Sequence, residues 1–315
     1  MNLLYHIKRS NLLYYIKNIP LDILPRYLFR KKLKFWLHQQ NSYPKEVIDT
    51  RVGYYCKLNQ KTPLPKKALL LKDIRKKGNK SVYYYDFMLI GRYFNPNYKV
   101  NFLFGDVDKN LSTPTIVKSR PIQNNENSII LKLEKWRHFN FINDTKSFET
   151  KKDAIVWRGV IHKENRRILF EKYFGDSNFD IGSSNMKNSK IEWLKPYLSI
   201  KKQLDYKFIL SIEGIDVATN LKWIMSSNSL CFMPKPKFET WYMEGKLIPN
   251  YHYVLIKDDY SDVMEKMEYF SKNHIEAEKI LQNAKNWTNQ FKDEKLENII
   301  SILVLQKFLS LTNES

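Results

Sequence analysis

The residue types best suited to binding an anionic ligand stand directly after an apolar run at residues 208–212. Glu213 and Gly214 end that run, and a helical pattern begins at Asp216. A glycine lets the backbone approach a ligand closely, and the opening of a helix presents free N–H groups and the positive end of the helix dipole. This spacing favours a phosphate-bearing ligand. It also fits a plain turn with Asp216 as an ordinary helix cap, and that alternative stays open.

Two carboxylates follow another strand-like run. Residues 100–104 form a short apolar stretch that leads into Gly105-Asp106-Val107-Asp108. A carboxylate at such a position can act as a general base, and two together can bind a divalent cation through oxygen. Aspartates are also common in turns and caps, so this structural interpretation stays open beside the chemical one.

The elements that would position Gly214 alternate between strand and helix. Apolar runs at 208–212, 230–233 and 251–256 are separated by the helical pattern 216–228 and by a short amphipathic segment containing Glu239, Trp241 and Glu244. Such alternation is typical of an α/β fold with a parallel sheet and crossover helices. Ligands of these sheets bind beyond the carboxyl ends of the strands, where Gly214 would lie.

The rest of the chain predicts further elements and two domains. A length of 315 residues suffices for two domains of ordinary size, and Lys151-Lys152 marks the predicted boundary between domains 1–150 and 151–315. Strands are predicted at 100–104, 129–133, 139–142, 154–157 and 179–181, and helices at 12–16, 27–37, 166–174, 261–273, 275–291 and 296–311, whereas residues 82–90 fit either element.

The net charge of +20 is concentrated in the first third of the chain. Residues 1–100 hold 21 Lys and Arg against 5 Asp and Glu, which indicates a polyanionic partner. Residues 26–36 interleave basic and aromatic side chains, a composition that suits an anionic membrane surface. Nucleic acid is the competing partner, but no zinc-finger spacing, RNP-like motif or long basic arm supports it. Compositional bias toward lysine is a third interpretation.

The predicted setting is cytoplasmic. Cys56 and Cys231 are the only cysteines and show neither a disulfide framework nor a metal-type spacing. No apolar stretch has the length of a transmembrane helix, and basic residues interrupt the first twenty positions, so we expect no secretory signal.

Trp157-Arg158-Gly159 and the block 206–253 resemble the family 90 glycosyltransferases, and the bacterial lipopolysaccharide-modifying branch is the most similar. The resemblance implies a GT-B architecture, in which two Rossmann-like domains face a central cleft. The second domain would hold a UDP-sugar and the first would bind the acceptor. The final helix of this architecture often crosses back onto the first domain.

The resemblance also implies roles for the two aspartates. Asp106 lies at the strand end where the family places a catalytic base, and Asp108 is its rival. Asp106-Val107-Asp108 has the D-x-D form that binds metal in other glycosyltransferase folds. GT-B enzymes generally stabilise the leaving diphosphate with protein cations instead, so we expect no metal cofactor.

The donor pocket is predicted in the same way. Arg166 falls where the family places an arginine on the diphosphate, and a guanidinium suits phosphate oxygens. Arg158 could bind the donor or form an ion pair with a neighbouring acid. Lys222 could replace an arginine that eukaryotic members carry at the position of Asn220, or lie on the solvent face of its helix. The predicted donor-binding residues are Arg158, Gly159, Arg166, Gly214, Asp216, Ala218, Thr219, Asn220, Lys222 and Glu239.

Other residues have alternative partners. A carboxylate repels a diphosphate, so Asp216 would hold ribose, sugar hydroxyls or the helix N-terminus. Glu239 could bind a sugar hydroxyl or serve packing. Ser119 and Arg120 are predicted to line the cleft, together with Asp108.

The predicted function is metal-independent, inverting transfer from a UDP-sugar to a saccharide or glycolipid of the lipopolysaccharide or lipooligosaccharide core. The enzyme would be peripheral at the inner face of the cytoplasmic membrane. Two alternatives stay open: a non-catalytic basic protein on membrane or nucleic acid, and another sugar-nucleotide or phosphate-ligand enzyme. No Walker-type loop supports the latter.

Overall fold

The computed structural model describes residues 11–76, 80–161, 163–186 and 188–314. The first ten residues, which bear on the expected lack of a secretory signal, lie outside the described residues. The chain forms two compact units, Met1–Arg137 with Asp293–Ser315, and His138–Lys292. The division falls after residue 137 instead of the predicted 150. The final segment joins the first unit, as expected for a final helix that crosses back, although the predicted boundaries had placed it in the second.

The first unit contains helices packed around short strands. A parallel sheet in the order β3-β4-β6 forms its centre, and its residues Ile116, Val117, Ile129 and Ile130 are fully buried. Strands β1 and β2 form an antiparallel pair. The elements up to residue 138 are α1 (Asn11–Ile23), α2 (Arg26–Gln39), α3 (Lys45–Tyr55), β1 (Leu69–Leu70), α4 (Ser81–Gly91), β2 (Lys99–Val100), β3 (Phe102–Leu103), β4 (Thr115–Val117), β5 (Ser119–Pro121), β6 (Ser128–Ile130) and α5 (Lys135–His138).

The second unit is built on a five-stranded sheet with all strands parallel, in the order β12-β10-β9-β7-β8. Its central strands are apolar on both faces because helices cover them, as parallel sheets require. The elements are β7 (Lys152–Gly159), α6 (Glu164–Tyr173), β8 (Phe179–Ser183), α7 (Ile200–Gln203), β9 (Tyr206–Leu210), α8 (Leu221–Met225), β10 (Leu230–Met233), β11 (Phe238–Thr240), β12 (Val254–Leu255), α9 (Val263–Lys272) and α10 (His274–Asn289).

The last helix, α11 (Glu294–Thr312), completes the first unit. Asp293 caps it by accepting hydrogen bonds from the backbone N–H groups of Lys295 and Leu296. Glu297 on its inner face pairs with Arg51 of α3 at 2.5 Å and with Lys132 at 2.6 Å. Within the described part of the chain, no helix is long and apolar enough to cross a membrane.

The α/β class with a parallel sheet is confirmed, but several predicted elements are wrong. The helix predicted at 216–228 is reduced to Leu221–Met225, and residues 216–219 lie in bends and turns. Asp216 therefore does not open a helix. The amphipathic segment 239–244 contains strand β11 and the start of a 3-10 turn, Glu244–Lys246. Residues 139–142 form no strand, and residues 82–90 are helical.

Candidate active site

A cavity of about 370 Å³ opens at the carboxyl ends of β7, β9 and β10 in the second unit. Residues 163–165, 211–214 and 233–238 form most of its wall, and each of these segments follows one of those strands. The chain passes from β7 to the outer strand β8 and returns to β9 on the other side, so strand order reverses between β7 and β9. Such a reversal is where open α/β sheets bind ligands, and the volume suits a small molecule.

Arg166 fastens two of the loops that form this cavity. Its guanidinium donates hydrogen bonds to the carbonyl oxygens of Val160 (2.7 Å), Ile212 (2.7 Å) and Glu213 (3.2 Å). The loop after β7 and the loop after β9 are thereby joined. A methyl group at Gly214 would lie 3.1 Å from Arg166 Nη2, so the glycine lets the guanidinium pass directly behind the cavity wall. Arg166 thus shapes the pocket through backbone contacts that no sequence motif displays.

The Trp157-Arg158-Gly159 motif has a packing role as well. The Trp157 ring is buried and lies 5.2 Å below the Arg166 guanidinium in a cation–π contact. A Cβ atom at position 159 would come within 2.6 Å of the same ring, so only glycine fits there. The tryptophan therefore sets the position of Arg166, and Gly159 makes room for the tryptophan.

Of the other predicted donor residues, Gly214 and Ala218 line the cavity. Asn220 is turned toward the sheet, where its Nδ2 donates to the Leu210 carbonyl at 2.9 Å. Asp216 is buried, and its carbonyl accepts from the Gly214 N–H at 3.1 Å. Thr219 is half-buried in the turn before α8. Glu239 is buried in β11.

Lys222 does not lie on a solvent-facing helix surface, and that alternative is wrong. Its side chain is fully buried and forms an ion pair with Glu244, which is one of the cavity-lining residues. The Glu244 carboxylate also accepts from the Thr240 backbone N–H at 2.6 Å. A buried carboxylate needs such partners, so Lys222 neutralises an acid at the cavity wall.

Arg158 is engaged away from the cavity. Its Nη2 lies 2.7 Å from Asp180 Oδ1 in β8, and its Nη1 donates to the Asp180 carbonyl at 2.6 Å. Tyr206 and Lys195 donate to the same carboxylate at 2.6 and 3.0 Å. Burial alone would raise the pKa of Asp180, but these hydrogen bonds outweigh it and lower the pKa to about 2. The ion-pair alternative for Arg158 is what the geometry shows.

Three lysines supply positive charge at the cavity wall. Lys163 donates to the Ile215 carbonyl at 2.8 Å, and Lys237 pairs with Asp258 at 3.1 Å. Lys235 is exposed and, within the described residues, has no hydrogen-bond or ion-pair partner. Its ammonium group is therefore available to an anionic ligand.

Glu213 joins two walls of the cavity. Its carboxylate accepts hydrogen bonds from the backbone N–H groups of Lys237 (3.0 Å) and Phe238 (3.1 Å). Burial raises the pKa of Glu213 to about 7, although those two N–H groups favour the ionised form. The loop 234–238 is thus held to the end of β9 by a carboxyl group that titrates near neutral pH.

A separate charged cluster lies at the carboxyl ends of β3, β4 and β6 in the first unit. Lys118, only 2% exposed, places its Nζ 2.7 Å from Asp106 Oδ1 and 3.9 Å from Glu134 Oε2. Tyr83 donates to Glu134 at 2.6 Å. The Asp106 side chain is 28% exposed, so this ion pair positions a carboxylate that a substrate can still reach. In the described part of the chain, no group of three or more His, Cys, Asp and Glu is placed to hold a metal ion.

Ser119 and Arg120, which were predicted to line the cleft, are both fully buried. Arg120 donates hydrogen bonds to the carbonyls of Tyr54 (2.8 Å) and Ser128 (2.8 Å), which ties β6 to helix α3. Asp108 is exposed in the loop after Asp106.

Comparison with known proteins decides what kind of chain carries these features. A profile described as Glycosyl transferase family 90 matches residues 131–308. The chain is also 39% identical over 311 residues to "O-glucosyltransferase LpsA" of Dichelobacter nodosus, which covers 97% of both chains. The chain belongs to glycosyltransferase family 90. A weaker relative, "Uncharacterized protein 179R" of Invertebrate iridescent virus 6, is 28% identical over 158 residues, 47% of this chain and 12% of that protein.

The resemblance to family 90 and the enzyme class are therefore confirmed. The matched range contains every residue of the cavity wall. Asp106 and Lys118 precede the family 90 match but fall within the first 137 residues, a region that the near full-length alignment to the Dichelobacter protein must largely cover.

The sequence analysis missed Lys235 and Lys237 of this family 90 chain. It also missed the hydrogen bonds by which Glu213 holds the loop 234–238 to the end of β9. One signal was available, because Pro234-Lys235-Pro236-Lys237 directly follows the apolar run 230–233. Ligands bind beyond the carboxyl ends of all central strands, so the loop after β10 was as strong a candidate as the loop after β9.

Proposed function

We propose that this glycosyltransferase moves a sugar from a UDP-sugar to a hydroxyl group of a saccharide in the lipopolysaccharide or lipooligosaccharide core. The observation that carries the proposal is the cavity at the strand reversal of the second unit, with lysines in its wall, in a chain of family 90. A diphosphate with two negative charges would find cations and loop N–H groups there.

In this proposal the second unit holds the donor, and the first unit binds the acceptor and supplies the base, as in a GT-B enzyme. Lys235 and Lys163 would bind the diphosphate, and the backbone at Gly214 and Ala218 would lie against the nucleotide. Arg166 would act by holding the loops in place. Its guanidinium already serves three carbonyl oxygens, so we assign the leaving-group charge mainly to lysines.

The reaction would be a single displacement with inversion. Asp106 accepts the proton of the acceptor hydroxyl, and that oxygen forms a bond to the anomeric carbon of the sugar. The bond from this carbon to the phosphate oxygen breaks, and UDP departs with the electron pair. Lysine charge on the diphosphate supports a reaction without a metal ion.

The transferred sugar and the acceptor are proposed by analogy. The Dichelobacter relative is named an O-glucosyltransferase, which supports glucose as the sugar. We place the enzyme in the cytoplasm at the inner face of the membrane, where a lipid-linked core saccharide would be extended.

The test is thermal melting with UDP-, GDP- and CMP-sugars, with and without EDTA, followed by detection of the glycosylated product. A ligand at 100 times its dissociation constant stabilises a fold by about 2.7 kcal/mol, a shift of several degrees. We expect UDP-glucose to stabilise the wild type equally with and without EDTA. Lys235→Ala should raise at least tenfold the UDP-glucose concentration that is needed for the same stabilisation. Lys201→Ala, which replaces an exposed lysine of the same unit, should leave that concentration unchanged. Stabilisation by no nucleotide-sugar would refute the donor site.

A further inference from the structure

Helices α1 and α2 carry a concentration of exposed apolar side chains. Ile16, Ile19 and Ile23 form a stripe on α1 at helical spacing, and Ile23 is 81% exposed. Leu24, Tyr27, Leu28 and Phe35 continue it across the turn and along α2. Soluble proteins scatter such residues singly, so seven within twenty positions indicate an interaction surface.

Both helices are anchored by their opposite faces, so this exposure is not a sign of unpacked helices. On α1, the Tyr14 hydroxyl donates to Asp86 of α4 at 2.9 Å. On α2, Phe29 packs edge-on against Tyr93, and the Trp36 indole donates to the Tyr93 hydroxyl at 3.1 Å. The polar anchors point inward, and the apolar stripes are left on the outside.

The same outer faces are strongly basic. Residues 11–44 contain six Lys and Arg and one acid, Asp22. Asp22 is already paired with Arg92 at 2.5 Å and lies 3.7 Å from Lys76. Arg30, Lys31, Lys32 and Lys34 have no carboxylate within 4 Å among the residues that the structure describes. Lys31 lies 5.5 Å from the centre of the Tyr27 ring, so charge and apolar surface are intermixed.

We propose that the outer faces of α1 and α2 form a docking surface for the anionic surface of a lipid bilayer. The apolar side chains near the turn, Ile23, Leu24, Tyr27 and Leu28, enter the region between headgroups and acyl chains. The lysines beside them contact lipid phosphates. This is how a basic amphipathic helix lies in a membrane interface, and each basic residue near the surface strengthens binding about fivefold.

Two other occupants fit the chemistry less well. Single-stranded nucleic acid binds basic grooves through stacking on aromatic rings, but isoleucine and leucine dominate this surface and have no ring to stack. A second copy of the chain would bring like charges together, because each copy carries five exposed basic residues here against one paired acid.

The experiment is sedimentation of the full chain with vesicles of phosphatidylethanolamine and phosphatidylglycerol at 3:1, or of pure phosphatidylcholine. We expect binding to the anionic vesicles, weakened by salt, and at least tenfold weaker binding to the neutral ones. Replacing three charges (K31Q/K32Q/K34Q) should lower the partition coefficient by about two orders of magnitude. The variant I23S/L24S should lower it at least tenfold without changing its salt dependence.

Matched variants on the second unit serve as controls. K201Q/K202Q/K272Q removes three exposed lysines, and I191S/Y197S removes two exposed apolar side chains. Neither should change vesicle binding more than threefold. Equal binding to both vesicle types, equal losses in the controls, preferential binding to an oligonucleotide, or a dimer that the surface variants abolish would each overturn the proposal.

The docking surface is tested separately from the sugar-transfer reaction. The vesicle variants should keep the wild-type melting temperature within a few degrees and the same stabilisation by UDP-glucose, because they lie outside the second unit. If no sugar nucleotide binds but the vesicle results hold, the docking surface stands and the proposed reaction fails.

Discussion

Arg158 shows how one residue of a family motif can contribute to the fold. Its guanidinium holds Asp180, and Tyr206 and Lys195 complete the shell around that carboxylate. The pKa of Asp180 is lowered to about 2 from an ordinary value of 3.8. A lowered folded-state pKa means that the pair stabilises the protein above about pH 4 and loses this contribution as the pH falls toward 2.

We therefore predict that Arg158→Met lowers the free energy of unfolding by about 1–2 kcal/mol at pH 7 and by much less near pH 2.5. The affinity for a UDP-sugar should stay within threefold of the wild type. Urea denaturation at both pH values and melting with UDP-glucose measure the two quantities. A large loss of affinity with unchanged stability would show that Arg158 contacts the donor after all.

Asp106 and Asp108 allow a matched test of the proposed base. Lys118 positions Asp106, whereas Asp108 lies two residues further in an exposed loop. If Asp106 accepts the acceptor proton, Asp106→Asn should lower kcat by about 10²–10⁴-fold. The donor affinity should be unchanged, since the cavity proposed to bind the donor belongs to the other unit.

Asp108→Asn should lower kcat less than fivefold. Both variants are measured by product formation and by melting with UDP-glucose. If Asp108→Asn abolishes turnover and Asp106→Asn does not, the two roles are exchanged.

At the scale of elements, the loop 234–238 and the end of β9 depend on one carboxyl group. Glu213 has a pKa of about 7 in the fold and an ordinary value of 4.5. The folded state therefore binds more protons than the unfolded state between these values. Stability from this group is fully present below about pH 4.5 and is lost as the pH rises to about 7.

We predict that Glu213→Gln removes this pH dependence, because an amide keeps the shape of the neutral acid. The wild type should lose up to about 3 kcal/mol of unfolding free energy relative to the variant between pH 4.5 and 7.5. Paired urea titrations across that range give the difference. A constant difference between the two proteins would show that Glu213 does not titrate there.

The strands of the second unit are well predicted because their residues are buried on both faces. The run 230–233 coincides with β10, and 208–212 overlaps β9. The helix predicted at 216–228 is too long, and the apolar residues that suggest it have another cause. Val217, Ala218 and Leu221 are apolar because they form the wall of a cavity, and this mimics the periodicity of a helix.

The site is predicted less well than the strands because its key contacts are made with backbone atoms. The sequence predicts Arg166 from its position in the family pattern. Its three carbonyl acceptors, however, lie in loops that are 6 and 46–47 residues away along the chain. Carbonyl groups carry no sequence signature, so a family arginine looks the same whether it binds phosphate or a loop. Gly214 was predicted because it follows a recognisable strand, and Ala218 because of the family resemblance; both line the cavity.

At the scale of the whole molecule, the first unit depends on both ends of the chain. Helix α11 supplies buried side chains such as Ile300, Val304, Leu305 and Phe308 to it. Burial of each contributes about 1.5–3 kcal/mol, so these four together contribute about 6–12 kcal/mol, which is as large as the net stability of about 5–15 kcal/mol of a typical domain. The sequence predicts the helix from its periodicity, and the family resemblance predicts that the helix returns to the first unit, where Glu297 contacts Arg51 and Lys132.

That contact gives the last prediction. Glu297→Ala would leave Arg51 and Lys132 buried without their shared counter-charge, and removing one partner of a buried pair typically destabilises a protein by about 3–5 kcal/mol. Replacing all three residues by methionine should recover most of this loss, because no unpaired charge then remains.

Burial already lowers the pKa of Lys132, and without Glu297 this pKa should fall further. Urea denaturation of the single and triple variants tests this: a triple variant as unstable as Glu297→Ala would show that α11 is held by packing at this point and not by charge. Melting with UDP-glucose should report an intact second unit in either case, since residues 138–292 contain the whole cavity wall.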